Sequence, residues 1–176
     1  MQRLEASVEE SKKAEEAKEN TTPGTHEIEI RDVIFLDKNR NHAKSYLTHD
    51  KMVVKICFHA KQKIPRPIFG VAINHVEGSH MCGPNTTSLA RVLREVEGNG
   101  DIEFCIESLV LLPGTYLFTV GIFDHISHYP FDYHDKTYKF EVGFGGADGH
   151  RGLVAMDYSW NLNPDGKFHL EDKPSK

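Results

Sequence analysis

From Thr25 onward the hydrophobic residues recur with period two, the spacing that sends successive side chains to opposite faces of a sheet. In 52–59, Met52, Val54, Ile56 and Phe58 alternate with Val53, Lys55, Cys57 and His59; in 138–144, Tyr138, Phe140, Val142 and Phe144 alternate with Lys139, Glu141 and Gly143. Both predict half-buried strands. Ile102, Phe104 and Ile106 against Glu103, Cys105 and Glu107 predict another. Segments 26–36, 68–76 and 116–123 are more continuously apolar and suit strands buried on both faces, and a last strand is expected over 152–160. Turn clusters separate them: Asp37-Lys38-Asn39-Arg40, Gly83-Pro84-Asn85, Gly98-Asn99-Gly100, Pro113-Gly114 and the glycine-rich 145–149. Short strands punctuated in this way predict an all-β antiparallel sandwich of seven to nine strands, immunoglobulin-like or jelly-roll.

Leu112-Pro113-Gly114-Thr115-Tyr116, leading into the most hydrophobic strand, has the form of a tyrosine corner, in which a buried phenol bonds back to upstream backbone and pins a crossover between sheets. That assigns Tyr116 a structural role. Ser88 to Val96 has apolar residues at Leu89, Val92, Leu93 and Val96, compatible with a short helix or a long loop. Residues 1–24 differ in kind: Met1 to Asn20 is nearly all Ala, Glu, Lys, Ser and Gln, with Glu9 and Lys13 at helical spacing, and Thr21-Thr22-Pro23-Gly24 breaks it. It reads as a polar linker helix or a disordered segment. The sandwich is expected over 25–162, with a polar tail over 163–176.

Composition narrows the chemistry. A chain of 176 residues with net charge -5 and no basic patch interleaved with aromatics lacks the footprint of a nucleic-acid binder. No apolar run approaches the roughly 20 residues of a membrane helix, and no signal peptide is apparent, so a cytosolic protein is expected. Cys57, Cys82 and Cys105 are odd in number and without CxxC spacing, which argues reduced thiols. GxSxG, HExxH and GxGxxG are absent, and Gly143-Phe144-Gly145-Gly146 continues without the lysine of a phosphate loop. ATP hydrolysis is not expected of this chain.

Nine aromatic residues fall between Tyr116 and Phe144, together with three histidines. A cupin-like metal enzyme would have to seat its metal in the 125–135 stretch, which reads as a loop containing Pro130; ligands on two alternating strands are the usual arrangement, so a polar binding rim suits it better. A sugar offers a C–H face that packs on flat aromatic rings and hydroxyls that pair with planar polar groups. Tyr129, Tyr133, Tyr158 and Trp160 are candidate stacking platforms, and Asn74, Asp124, His125, His134 and Asp157 candidate hydroxyl partners. Trp160, Tyr158 and Met156 could equally share one core-facing strand face.

The ordered series Pro67-Ile68-Phe69-Gly70-Val71-Ala72-Ile73, Gly83-Pro84-Asn85-Thr86, Ile102-Glu103-Phe104, Leu109 to Tyr116, Val120 to Asp124, Tyr133-His134-Asp135, Tyr138 to Val142 and a final Trp160 resembles the C-terminal carbohydrate-binding domain of the ATPase subunit, Wzt type, of ABC transporters that export O-antigen polysaccharides. The resemblance implies a non-catalytic, cofactor-free β-sandwich that recognises O-antigen polysaccharide, commonly at a modified non-reducing end. It also implies a homodimer whose partners are the transporter's membrane subunit and nucleotide-binding domain, peripheral at the cytoplasmic face of the inner membrane. The polar 1–24 segment would then join that nucleotide-binding domain, in a domain separated from its ATPase or a stand-alone binder. A purely structural dimerisation module is the remaining alternative.

Overall fold

A computed structural model describes residues 22–89, 93–126, 128–145 and 151–159. Among the described residues, eight strands form two facing sheets. β1 (Ile28–Leu36), β3 (Met52–Pro65) and β6 (Glu95–Ile106) make a three-stranded sheet in the order β1-β3-β6. β2 (Ser45–Leu47), β8 (Pro130–Gly143), β7 (Gly114–Phe123), β4 (Ile68–His75) and β5 (His80–Cys82) make a five-stranded sheet in the order β2-β8-β7-β4-β5. Pairing is antiparallel except between β2 and β8, which run parallel over three residues. The expected sandwich is therefore the observed one.

The alternation read from sequence explains the core. Met52, Val54, Ile56 and Phe58 of β3 turn inward, and the central β7 contributes Tyr116, Phe118, Val120 and Ile122, each fully buried. Phe35 of β1 meets Phe118 of β7 edge-on with ring centroids 5.4 Å apart and Phe140 of β8 at 5.8 Å, so the two sheets lock through aromatic contacts, while Tyr116 stacks on Phe140 within the five-stranded sheet at 5.6 Å. The Tyr116 hydroxyl donates to the Leu112 carbonyl at 2.7 Å, which is the tyrosine corner. Burial pushes that phenol's pKa upward and keeps it a donor. Tyr116→Phe is expected to cost about 1 kcal/mol, lowering the thermal midpoint by roughly 3–5 °C with an unchanged circular dichroism spectrum.

Four local expectations need correction. Gly98-Asn99-Gly100 is not a turn but part of β6: the Phe58 ring tip lies 2.5 Å from where a Gly100 Cβ would be, so glycine is needed there for close packing. Pro130 does not interrupt a loop but begins β8, where a residue without an N–H is tolerated, and Phe131 to Asp135 are strand. The expected strand over 152–160 reduces, among the described residues, to one bridge from Val154 to Leu111. Leu112 N–H to Leu153 O and Ala155 N–H to Val110 O pin that segment, and Met156 and Tyr158 are exposed rather than core. At the two ends of the Ser88 to Val96 segment, Ser88 closes a 3-10 turn over Thr86–Ser88 and Glu95 already begins β6, while 90–92 lie outside the described residues. The linker reading of 1–20, Trp160 and the 163–176 tail lie outside the described residues.

The two outer faces differ in chemistry. On the three-stranded sheet, Lys55–Asp101 at 3.3 Å, Lys63–Glu95 at 2.8 Å, Arg31–Glu29 at 2.7 Å and the Lys61–Glu29 and Arg40–Glu103 pairs cover the surface with neutralised charge. The outer face of the five-stranded sheet carries the Lys139–Glu141 pair toward the end of β8 but, across β4, β7 and the start of β8, presents glycine, threonine and aromatic residues.

Candidate functional site

Across the five-stranded sheet, Gly70 of β4 pairs with Gly121 of β7, and Gly121 pairs with Tyr133 of β8. Two cross-strand glycines leave a shallow bed on a face where side chains would otherwise stand. Phe123, two residues beyond Gly121 on the same face, leans back over it: its ring tip lies 2.5 Å, and Tyr133 Cδ2 2.8 Å, from the position of a Gly121 Cβ. The Phe123 and Tyr133 rings meet with centroids 5.9 Å apart at 54°, forming a half-exposed aromatic platform. Around it opens a groove of about 530 Å³ whose further lining includes Thr119, His80, Asn85, Thr87 and His128.

Irregular backbone positions the polar rim. Val120 pairs with His134 but Phe118 with Tyr138, so β8 bulges over 135–137, with Lys136 at φ 49°. The bulge is tied down by Thr119, which is 3% exposed: its Oγ1 accepts from Lys136 N at 2.8 Å and donates to Asp135 Oδ1 at 3.2 Å. The Tyr133 hydroxyl donates to the same oxygen at 3.3 Å. Burial first, and the Asp135 carboxylate second, raise the Tyr133 pKa, so its hydroxyl stays protonated. On the other side, Asn85 Oδ1 accepts from Thr87 N at 2.9 Å and caps the 3-10 turn.

Of the residues singled out from sequence, Tyr133 lies in this groove. Asn74 is buried and reaches it indirectly, 3.1 Å from the Nδ1 of the lining His80. Asp124 turns the chain after β7 through bonds from Ile126 N, and His125 lines an adjoining cleft of about 290 Å³ with Arg66, Leu89 and Leu93. That cleft shares Ile68, Thr87 and His128 with the groove, so the two are continuous. Tyr129 is exposed on the same turn.

His134 points the other way. Alternation along β8 puts it with Asp132 on the inward side, Nε2 3.4 Å from Asp132 Oδ1 and Nδ1 2.6 Å from the Tyr138 hydroxyl. Burial, then the charges of Asp132 and Asp32, push Tyr138 up to about 12. Asp157 and Tyr158 are exposed just beyond the segment pinned at 110–112, before the start of β7, whereas the groove lies at its last half. Among the described residues no three His, Cys, Asp or Glu side chains are grouped to hold a metal ion, and no helix is long and apolar enough to cross a membrane.

Phe123, Thr119, His80, Asn85 and Thr87 are among the groove residues that the sequence did not single out. Phe123 ends a continuously apolar run and reads as core; only the cross-strand meeting of Gly70 and Gly121 turns it into a platform. The local signals were Gly70 and Gly121 themselves, residues without side chains inside strong strands.

No curated protein matches the chain significantly. The solved structure described as the C-terminal domain of Wzt is similar to it, with a TM-score of 0.71 and 15% identity, covering 81% of this chain and 87% of that one. This likeness carries the fold. The family model of the Wzt C-terminal domain matches residues 19–156, through both sheets and the groove. The chain therefore belongs to the Wzt C-terminal domain family, the carbohydrate-binding domains of O-antigen polysaccharide ABC transporters.

Proposed function

We propose that the groove on the outer face of the five-stranded sheet binds O-antigen polysaccharide, without chemical change, for export by an ABC transporter. The observation that carries this reading is the Phe123–Tyr133 platform over the Gly70–Gly121 pair, flanked by imidazole and amide side chains of the lining and by the Asp135 carboxylate that the Tyr133 hydroxyl holds at its edge. A pyranose needs these together: an apolar face for its C–H bonds and planar polar groups for its hydroxyls. The terminal cap of a glycan is the proposed epitope, seated where the groove runs on into the cleft beside His125.

Weak binding is enough for this role. A millimolar site is worth only about 4 kcal/mol, and two domains in a homodimer engaging glycans at one membrane gain avidity through effective concentration. The domain would hold the glycan beside the membrane subunit and nucleotide-binding domain at the cytoplasmic face, with the ATPase activity residing in that other domain. The test is retention of O-polysaccharides with and without their terminal modification. Phe123→Ala and Tyr133→Ala are each expected to weaken binding about tenfold, a stacking contact plus its buried area, while the thermal midpoint barely moves. Unchanged affinity in both variants would take the site off this face; equal retention of capped and uncapped chains would remove the cap from the reading.

A further inference from the structure

The groove offers donors in the Asn85 amide, whose Oδ1 is taken up by Thr87, and at its edge, bonded to the lining Thr119 and Tyr133, an acceptor in the Asp135 carboxylate. Asp135 Oδ1 already accepts two hydrogen bonds, from Thr119 Oγ1 at 3.2 Å and from the Tyr133 hydroxyl at 3.3 Å. Both bonds hold the carboxylate at the edge of the groove with Oδ2 left to accept, and among the described residues Asp135 has no cationic partner. Across the groove, His80 Nδ1 lies 3.1 Å from Asn74 Oδ1. An amide oxygen only accepts, so Nδ1–H is directed at Asn74 and Nε2 is the ring nitrogen left for a ligand. Asn74, 7% exposed, thereby acts on the groove through His80 rather than by touching a ligand.

Such a site asks its ligand for hydroxyl protons and repels a carboxylate brought to the same place. Resting on the glycan reading above, we infer that the groove selects an uncharged sugar unit and discriminates against the corresponding acidic one, with Asp135 as the selectivity determinant and Thr119 as the residue that positions it. The β8 bulge at 135–137 has its use here: it brings an outward-facing carboxylate beside the ring of Tyr133, whose hydroxyl is spent on Asp135 and whose face remains for stacking.

The experiment compares binding of the full 176-residue chain to matched neutral and uronate homopolymers, a galactan with polygalacturonate, a glucan with polyglucuronate and a mannan with polymannuronate, by affinity electrophoresis. At least one neutral polymer is expected to bind tenfold or more tightly than its acidic counterpart, with the ratio narrowing in about 0.5 M salt as repulsion is screened. Asp135→Asn keeps the shape and removes the charge, and should bring the ratio close to one by weakening the neutral polymer and strengthening the acidic one. Thr119→Val should weaken the neutral polymer several-fold, with Thr119→Ser restoring it. Equal or preferential binding of the uronate by the native chain, or a ratio unmoved by Asp135→Asn in a protein of unchanged thermal midpoint, overturns the inference and leaves glycan binding standing. Binding to none of the six polymers overturns the glycan reading and this inference with it.

Discussion

Asp132→Ala is expected to destabilise the fold by about 3–4 kcal/mol, the range for a buried charged acceptor removed from its donors. The residue is 2% exposed at the start of β8 and its carboxylate is surrounded by donors: Ile30 N at 2.8 Å, the Thr22 hydroxyl and His134 Nε2 at 3.4 Å. Around it the strap 22–27 lies along β8, with Thr25 N–H donating to Pro130 O and His26 N–H to Phe131 O. Gly24 makes the contact possible: it sits at φ 154°, and a Cβ there would be 2.1 Å from the Phe131 carbonyl oxygen. Removing the carboxylate leaves the Ile30 N–H buried and unpaired and loosens the strap. For a domain of this size the loss corresponds to roughly 10 °C in thermal midpoint.

The same group gives the fold a pH dependence of definite sign. Burial would raise the Asp132 pKa, but the bonds from His134, Thr22 and Ile30 N outweigh it and hold it near 2, against an ordinary 3.8. A depressed folded-state pKa stabilises above the unfolded value and ceases to do so as pH falls through the folded one. Stability should therefore be full above about pH 5 and fall by about 2 kcal/mol between pH 4 and pH 2. Urea titrations across that window check it, and the step should shrink in Asp132→Asn.

This pair of adjacent residues, Asp132 and Tyr133, also shows how far the sequence was legible. Wherever inward positions are apolar, as in β3 and β7, period two located the strand and its core face, and the Leu-Pro-Gly-Thr-Tyr phrase located the corner. In the first half of β8 the inward positions are Asp132 and His134, and a proline opens the strand. Polar inward positions erase the alternation, so the segment read as a loop and His134 as a surface ligand. The groove was harder to see for another reason. It depends on Gly70 meeting Gly121 and on Asn85 and His80 folding beside them, contacts across tens of residues that no local pattern encodes. Tyr133 drew notice because aromatic and polar residues crowd its neighbourhood; Phe123 did not, because it closes the continuously apolar run 116–123 and reads as core. The resemblance to the Wzt domains succeeded where periodicity could not, since an ordered series of phrases carries topology.

Gly121→Val is expected to reduce glycan binding by about two orders of magnitude, and hence below detection for a millimolar site, while leaving the sandwich folded. Truncating either ring removes one half of the platform, whereas a side chain at Gly121 displaces both. Its Cβ would fall 2.5 Å from Phe123 Cζ and 2.8 Å from Tyr133 Cδ2, distances that cannot be held. The obstructing atoms are the far ends of two half-exposed side chains, so the rings swing outward and the backbone stays in place. Gly121 does not adopt a left-handed conformation, and valine suits a central strand, so little stability is at stake. The pattern to look for is lost retention with a thermal midpoint within about 2 °C of the native value, a shift of a few tenths of a kcal/mol. Retained binding in a folded Gly121→Val protein would show that the glycan does not lie on these rings. A large drop in midpoint would mean instead that Phe123 is fixed from below, as part of the core rather than a platform laid upon the sheet.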